Sequence, residues 1–115
     1  MIDKAKKAAA NYLKKKGYQI IDRNFKTPAG VIDFVFKDTD ENVLVFCHVS
    51  VSNGEFSKED VTRDQFEAMS IFYMARKADE IQDCAVRFDR IDIAVINEGR
   101  ALLRHHINAF GEGSK

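Results

Sequence analysis

Asp33, His48 and Ser50 are the residues whose types and spacing could do chemistry. A carboxylate, an imidazole and a hydroxyl are the parts of a hydrolase triad, and the first two alone are ligands for a divalent ion. His48 and Ser50 lie within VLVFCHVSVS, Val43 to Ser52, an apolar alternation of the kind that forms a buried strand. Asp33 lies within a second such run, GVIDFVF. A carboxylate there is expensive to bury unless it is paired, hydrogen-bonded or metal-bound, so Asp33 needs a partner.

Side chains alternate across a strand, so Val31, Asp33 and Val35 share one face, as do Phe46, His48 and Ser50. If the two strands pair, Asp33 approaches His48. A triad fails on geometry, because Ser50 sits two positions from His48 on one strand face, roughly 6.5 Å along the strand. No nucleophile elbow or oxyanion-hole motif accompanies it. What stays is an Asp33 and His48 pair that satisfy each other, or, as the alternative, a reduced metal site for a softer ion such as Mn²⁺ or Zn²⁺. Cys47 points to the opposite face and reads as a small buried hydrophobe.

The elements that must position these residues follow from periodicity. Ala5, Ala8, Ala9, Tyr12 and Leu13 recur at helical spacing and Gly17 stands at a helix end, which predicts a helix over residues 3–16 with a lysine-rich outer face. Three strand-like runs follow, YQIIDRN, GVIDFVFK and VLVFCHVSV, with KTPA and DTDEN as turns, and together they predict an antiparallel meander. After a polar loop over residues 52–57, Ser57 and Asp60 resemble a capping box opening a helix that carries Phe66, Met69, Ile71, Phe72, Tyr73 and Met74. Apolar over much of its girth, this helix must pack deeply or face a second chain as well. AVRFDRIDIAVI is a strand whose apolar parity shifts between Phe88 and Ile91, which predicts a bulge or bend, and ALLRHHIN is a last strand.

Composition bounds the rest. One domain over residues 1–110 with a flexible tail at 111–115 is expected from 115 residues that are 45% hydrophobic and 31% charged. The formal net charge is zero, but residues 1–37 carry nine basic and three acidic residues, a local balance of +6. Two cysteines without metal-ligand spacing argue against a disulfide framework or a zinc site, and with no apolar leader or span they predict a cytoplasmic protein with no membrane partner.

The basic excess gives the nucleic-acid candidates: Lys4, Lys6, Lys7, Lys14, Lys15, Lys16, Arg23 and Lys26, with Tyr12 and Tyr18 as stacking groups. A solvated helix face is the plain alternative. His105 and His106 are adjacent, point to opposite faces of a strand and read as structural. Asp89 and Asp92 read as surface or edge charges, and Gly111 and Gly113 lie in the tail rather than in a phosphate loop.

AANYLKKKGYQIIDRNFK, GVIDFVFKD, LVFCHVSV, VRFDRIDIAV and HHINAF together resemble the YraN-like proteins over nearly the whole chain. That resemblance implies an α/β, restriction-endonuclease-like fold: a mixed central sheet flanked by helices, in the order α-β-β-β-α-β-β. In such proteins the middle motifs read like GEIDLI and VFVEVK, whose Asp, second Glu and Lys form a metal-dependent nuclease signature. Mg²⁺ there is held by hard oxygen ligands, and the Lys orients or activates the attacking water. Against that pattern Asp33 is kept, Val31 replaces the first Glu, His48 the second Glu and Ser50 the Lys. Lys6 aligns with a Glu expected in the first helix, and Gln65 with a basic residue in the second.

The expected function is therefore a divergent, catalytically inactive nuclease-fold protein that binds DNA or RNA through its basic N-terminal region, without a cofactor. Two alternatives stay open. One is an active divalent-metal-dependent endonuclease or junction resolvase-like enzyme, with Mg²⁺, Mn²⁺ or Zn²⁺ held by Asp33 and His48. The other is a homodimeric interaction module built on the apolar face of residues 66–74.

Overall fold

Buried Ala5, Ala9, Ala10 and Leu13 line one side of the first helix, α1 (Ile2–Lys15), so its inner face is small and close-fitting. The helix ends in a glycine-capped turn: Tyr18 N–H donates to the Leu13 carbonyl at 3.1 Å and Gly17 N–H to that of Lys14 at 3.0 Å. Gly17 takes φ +89°, which an L side chain rarely adopts. The computed structural model describes residues 2–53, 61–77 and 84–109. The capping box at Ser57 and Asp60, most of the 52–57 loop and the tail at 111–115 lie outside them.

The strands are β1 (Gln19–Thr27), β2 (Gly30–Asp38), β3 (Val43–Asn53), β4 (Ala85–Asn97) and β5 (Arg100–His106). They form one five-stranded sheet in the order β1-β2-β3-β4-β5. The expected antiparallel meander is present in β1 to β3, β4 runs parallel to β3, and β5 returns antiparallel. A parallel pair needs a crossover, and the connection carries α2 (Arg63–Arg76). Between β1 and β2, Thr27 Oγ1 donates to the Gly30 carbonyl at 2.7 Å and accepts from the Ala29 and Gly30 amides. β1 therefore continues three residues beyond the expected YQIIDRN run.

The helices take opposite faces. Phe34, Phe36, Val45, Cys47, Val49, Ile91 and Ile93 pack with α1, whereas Val35, Leu44 and Phe46 pack with Phe66, Met69 and Tyr73 of α2. Aromatic rings fill the second layer, with Tyr73 edge-on to Phe25 at 4.8 Å and to Phe46 at 5.4 Å. Thr62 caps α2 by accepting the Gln65 amide at 3.1 Å. Of its apolar girth, Phe66, Met69 and Tyr73 are buried and Phe72 is half-buried, while Ile71 is 68% exposed.

The expected bulge between Phe88 and Ile91 is absent, because β4 pairs with β3 in unbroken register from Ala85 to Val95. The parity change comes from burial on both faces: Phe88 belongs to the α2 layer and Ile91 to the α1 layer. Register breaks instead at Ile20/Asp22 in β1 and at Val95/Asn97 against β5. Among the described residues, no helix is long and apolar enough to cross a membrane.

Candidate functional site

Asp33 lies where β2 parts from β3. The ladder runs from Asp38↔Val43 to Phe34↔Cys47, and beyond it the Val49 amide donates to Asp33 Oδ2 at 2.8 Å. Ile32 and Phe34, two residues apart, belong to opposite core layers, so the strand turns about Asp33. The turn brings the carboxylate to His48, whose Nδ1 lies 3.0 Å from Oδ2. An ionised carboxylate only accepts, so Nδ1 carries the proton between them. The other oxygen is taken from the opposite direction: Lys6 Nζ reaches from α1 to 2.7 Å from Oδ1 and also donates to Asn24 Oδ1 at 2.8 Å.

Burial works to raise the Asp33 pKa, but the hydrogen bonds from His48, Lys6 and the Val49 amide outweigh it and hold the carboxyl below its ordinary value. Asp33 is therefore an anion with both oxygens engaged by protein donors. Magnesium needs several hard oxygens in octahedral array, and here one carboxylate is shared between an ammonium and an imidazole. Among the described residues, no three His, Cys, Asp or Glu side chains group as a metal site would require. These residues do not fit a Mg²⁺ ion.

Ser50 is half-buried on the same strand, in register with Asp92 of β4. Cys47 is fully buried in the α1 layer, and burial pushes its thiol pKa well up, away from thiolate chemistry. Gln65 Nε2 donates to the Ala29 carbonyl at 2.9 Å, which ties α2 to the β1–β2 turn. Of the basic candidates, Lys4, Lys7, Lys14, Lys15, Lys16, Arg23 and Lys26 are exposed, but Lys6 is held inward by Asp33. The stacking expectation for Tyr12 and Tyr18 is corrected: both are half-buried, Tyr12 bonded to His105 and Tyr18 packed 4.8 Å from Phe36.

A second charged cluster lies on β4 and β5. Asp89 and Asp92 are 0% and 3% exposed rather than edge charges. Asp89 accepts from Arg87 Nε at 2.8 Å and Nη2 at 2.9 Å, from His105 Nε2 at 2.8 Å and from the Asn108 amide at 2.9 Å. Burial raises its pKa less than the His105, Arg87 and Asn108 hydrogen bonds lower it. Asp92 accepts from Arg90 and from His106 Nε2 at 3.0 Å. The adjacent histidines thus serve different aspartates. A motif signal existed in the matching spacing of the Arg-x-Asp pairs, Arg87 with Asp89 and Arg90 with Asp92, two residues apart on one strand face.

The profile described as "Uncharacterised protein family UPF0102" matches residues 5–96, which include Lys6, Asp33, His48 and Asp89. A UPF0102 protein of Pelotomaculum thermopropionicum is 36% identical over 110 residues, 90% of this chain and 88% of that one. Another, of Syntrophomonas wolfei, is 31% identical over 106 residues, 89% of this chain and 90% of its own. A third, of Pelobacter propionicus, is 29% identical over 108 residues, 89% of this chain and 76% of its own. Matched over most of its length by profile and relatives alike, the chain belongs to the UPF0102 family, the YraN-like group that its motifs resemble.

Proposed function

We propose that this protein is a nucleic-acid-binding member of its family in which a lysine stands where a nuclease would hold its metal ion, so that binding is kept and hydrolysis is lost. The observation that carries the reading is the 2.7 Å approach of Lys6 Nζ to Asp33 Oδ1. The ammonium supplies one positive charge at the carboxylate but, unlike a metal ion, cannot present a polarised water or a Lewis-acid face to a phosphodiester. The element order α-β-β-β-α-β-β and the mixed sheet support a restriction-endonuclease-like fold in a single domain over residues 1–110. The exposed lysines of α1 support the nucleic-acid half, since phosphate neutralisation supplies most sequence-independent affinity. No cofactor belongs to this reading, and the cytoplasm is its setting.

The test has two arms. Calorimetric titration with Mg²⁺, Mn²⁺ and Zn²⁺ is expected to show no binding, and incubation with branched or single-stranded DNA and either Mg²⁺ or Mn²⁺ no cleavage. Metal-dependent cleavage that disappears in Asp33→Ala would establish the active nuclease in its place, with Asp33 and His48 as the ion's ligands.

A second reading, the homodimer, draws on Ile71, which at 68% exposure stands on the outer side of α2 near Met74, itself 36% exposed. It requires a dimer mass by light scattering in the wild type and a monomer mass in Ile71→Glu.

A further inference from the structure

A groove of about 1180 Å³ opens between α1 and the β4–β5 hairpin, on the sheet face away from α2. Ala5 and Ala8 of α1 form one wall, and Ile93, Val95 and Ala101 form an apolar floor. Asn53 and Asn97 add amides at the carboxyl ends of the parallel strands β3 and β4, the end at which ligands generally bind in α/β sheets. Lys4 and Arg100, both exposed, bring positive charge to it from the helix and from the hairpin. Glu98 is the one acidic side chain among the described lining residues.

We infer that this groove is the seat of a single-stranded nucleic acid, with phosphates on Lys4 and Arg100 and unpaired bases against the apolar floor. The inference rests on the nucleic-acid reading above and gives it a place and a strandedness. Charge selects a polyanion. The apolar floor selects a single strand, because a duplex presents its phosphate ridges and keeps its base faces stacked away from Ile93 and Val95. Lys4 also begins a track. Asn11 and Lys15 follow it at seven and eleven residues, on one side of α1, over roughly 16 Å of helix. The track leads a strand out of the groove along the helix. Lys6, turned inward to Asp33, takes no part in it.

The probe is a fluorescein-labelled oligothymidylate, followed by anisotropy with the full-length protein, against a labelled duplex of equal length. The wild type is expected to bind the single strand more tightly. Lys4→Glu with Arg100→Glu should weaken binding about tenfold or more and flatten the slope of log K against log salt by roughly 0.7 for each phosphate no longer neutralised. Ala8→Leu, which fills the groove without changing charge, should weaken binding and leave that slope in place. Arg63→Glu with Lys77→Glu, on the α2 side, should bind as the wild type. Wild-type affinity in the groove variants, with binding abolished by Lys7→Glu and Lys14→Glu, would overturn the groove and keep the nucleic-acid reading. Tighter binding of the duplex would overturn the single-strand assignment alone. Binding of neither probe by the wild type would overturn both readings.

Discussion

Tyr12 of α1 and His105 of β5, 93 residues apart in sequence, share a hydrogen bond of 2.9 Å between the phenol oxygen and Nδ1. His105 Nε2 meets Asp89 at 2.8 Å on its other side, so the ring links the helix to the buried carboxylate. With Nε2–H donating to Asp89, the Nδ1 lone pair accepts the Tyr12 hydroxyl. Tyr12→Phe should therefore destabilise the fold by about 1 kcal/mol, the usual net worth of one such bond, with urea denaturation as the measurement. Asp89→Ala removes the buried acceptor shared by Arg87, His105 and the Asn108 amide and should lose about 3–5 kcal/mol.

Acid should unfold the protein through its paired carboxylates. Asp33 and Asp89 both titrate below their ordinary 3.8 in the folded state, so each adds stability at neutral pH. That contribution is complete above the unfolded value, about 3.9, and is lost as pH falls through the lower folded value. Urea midpoints should accordingly hold steady near neutrality with respect to these groups and drop below about pH 4. Asp89→Asn should lower the neutral plateau and flatten the acid limb.

Lys6→Glu tests the ammonium directly. It would set two carboxylates together, and their repulsion should lower the melting temperature in EDTA. Mn²⁺ should then raise it, because an ion that binds only the folded state stabilises by about 2.7 kcal/mol at a hundredfold excess over Kd. The wild type should show no such response. An unchanged melting temperature in both conditions would mean that the introduced carboxylate swings clear of Asp33.

Gly30→Ala should be destabilising by about 1–3 kcal/mol in thermal melts. The residue holds φ +145°, and a Cβ there would meet Gln65 Nε2 at 3.2 Å and Met69 Sδ at 3.3 Å. Those are side-chain ends that can yield a little, so backbone strain is the main cause.

The pairing of Asp33 with His48 was legible because the meander is a local rule that holds here and sets the two residues opposite each other, although face alternation in β2 breaks at Asp33, where Ile32 and Phe34 enter opposite layers. The role of Lys6 was legible only as far as its alignment with a helix Glu of the related motif, since nothing in the spacing of a helix tells which of its lysines will cross to a carboxylate 27 positions away in the chain. Asp89 and Asp92 misled for a related reason. Charged residues in a strand read as exposed until His105 and His106 on the neighbouring strand are known to meet them. The false bulge in β4 has the same root, because alternation marks one buried face and this strand is covered on both.

The antiparallel pairs join strands that follow one another in synthesis, so β1 to β3 and β4 with β5 close locally, whereas β4 must reach back across α2 to meet β3. Short-range closure of this kind favours rapid, vectorial assembly. The tie from Tyr12 through His105 to Asp89 stays open until β5 is made. Without β5 and the residues after it, Asp89 lacks the His105 and Asn108 donors, so the last strand completes the buried charge network as well as the sheet.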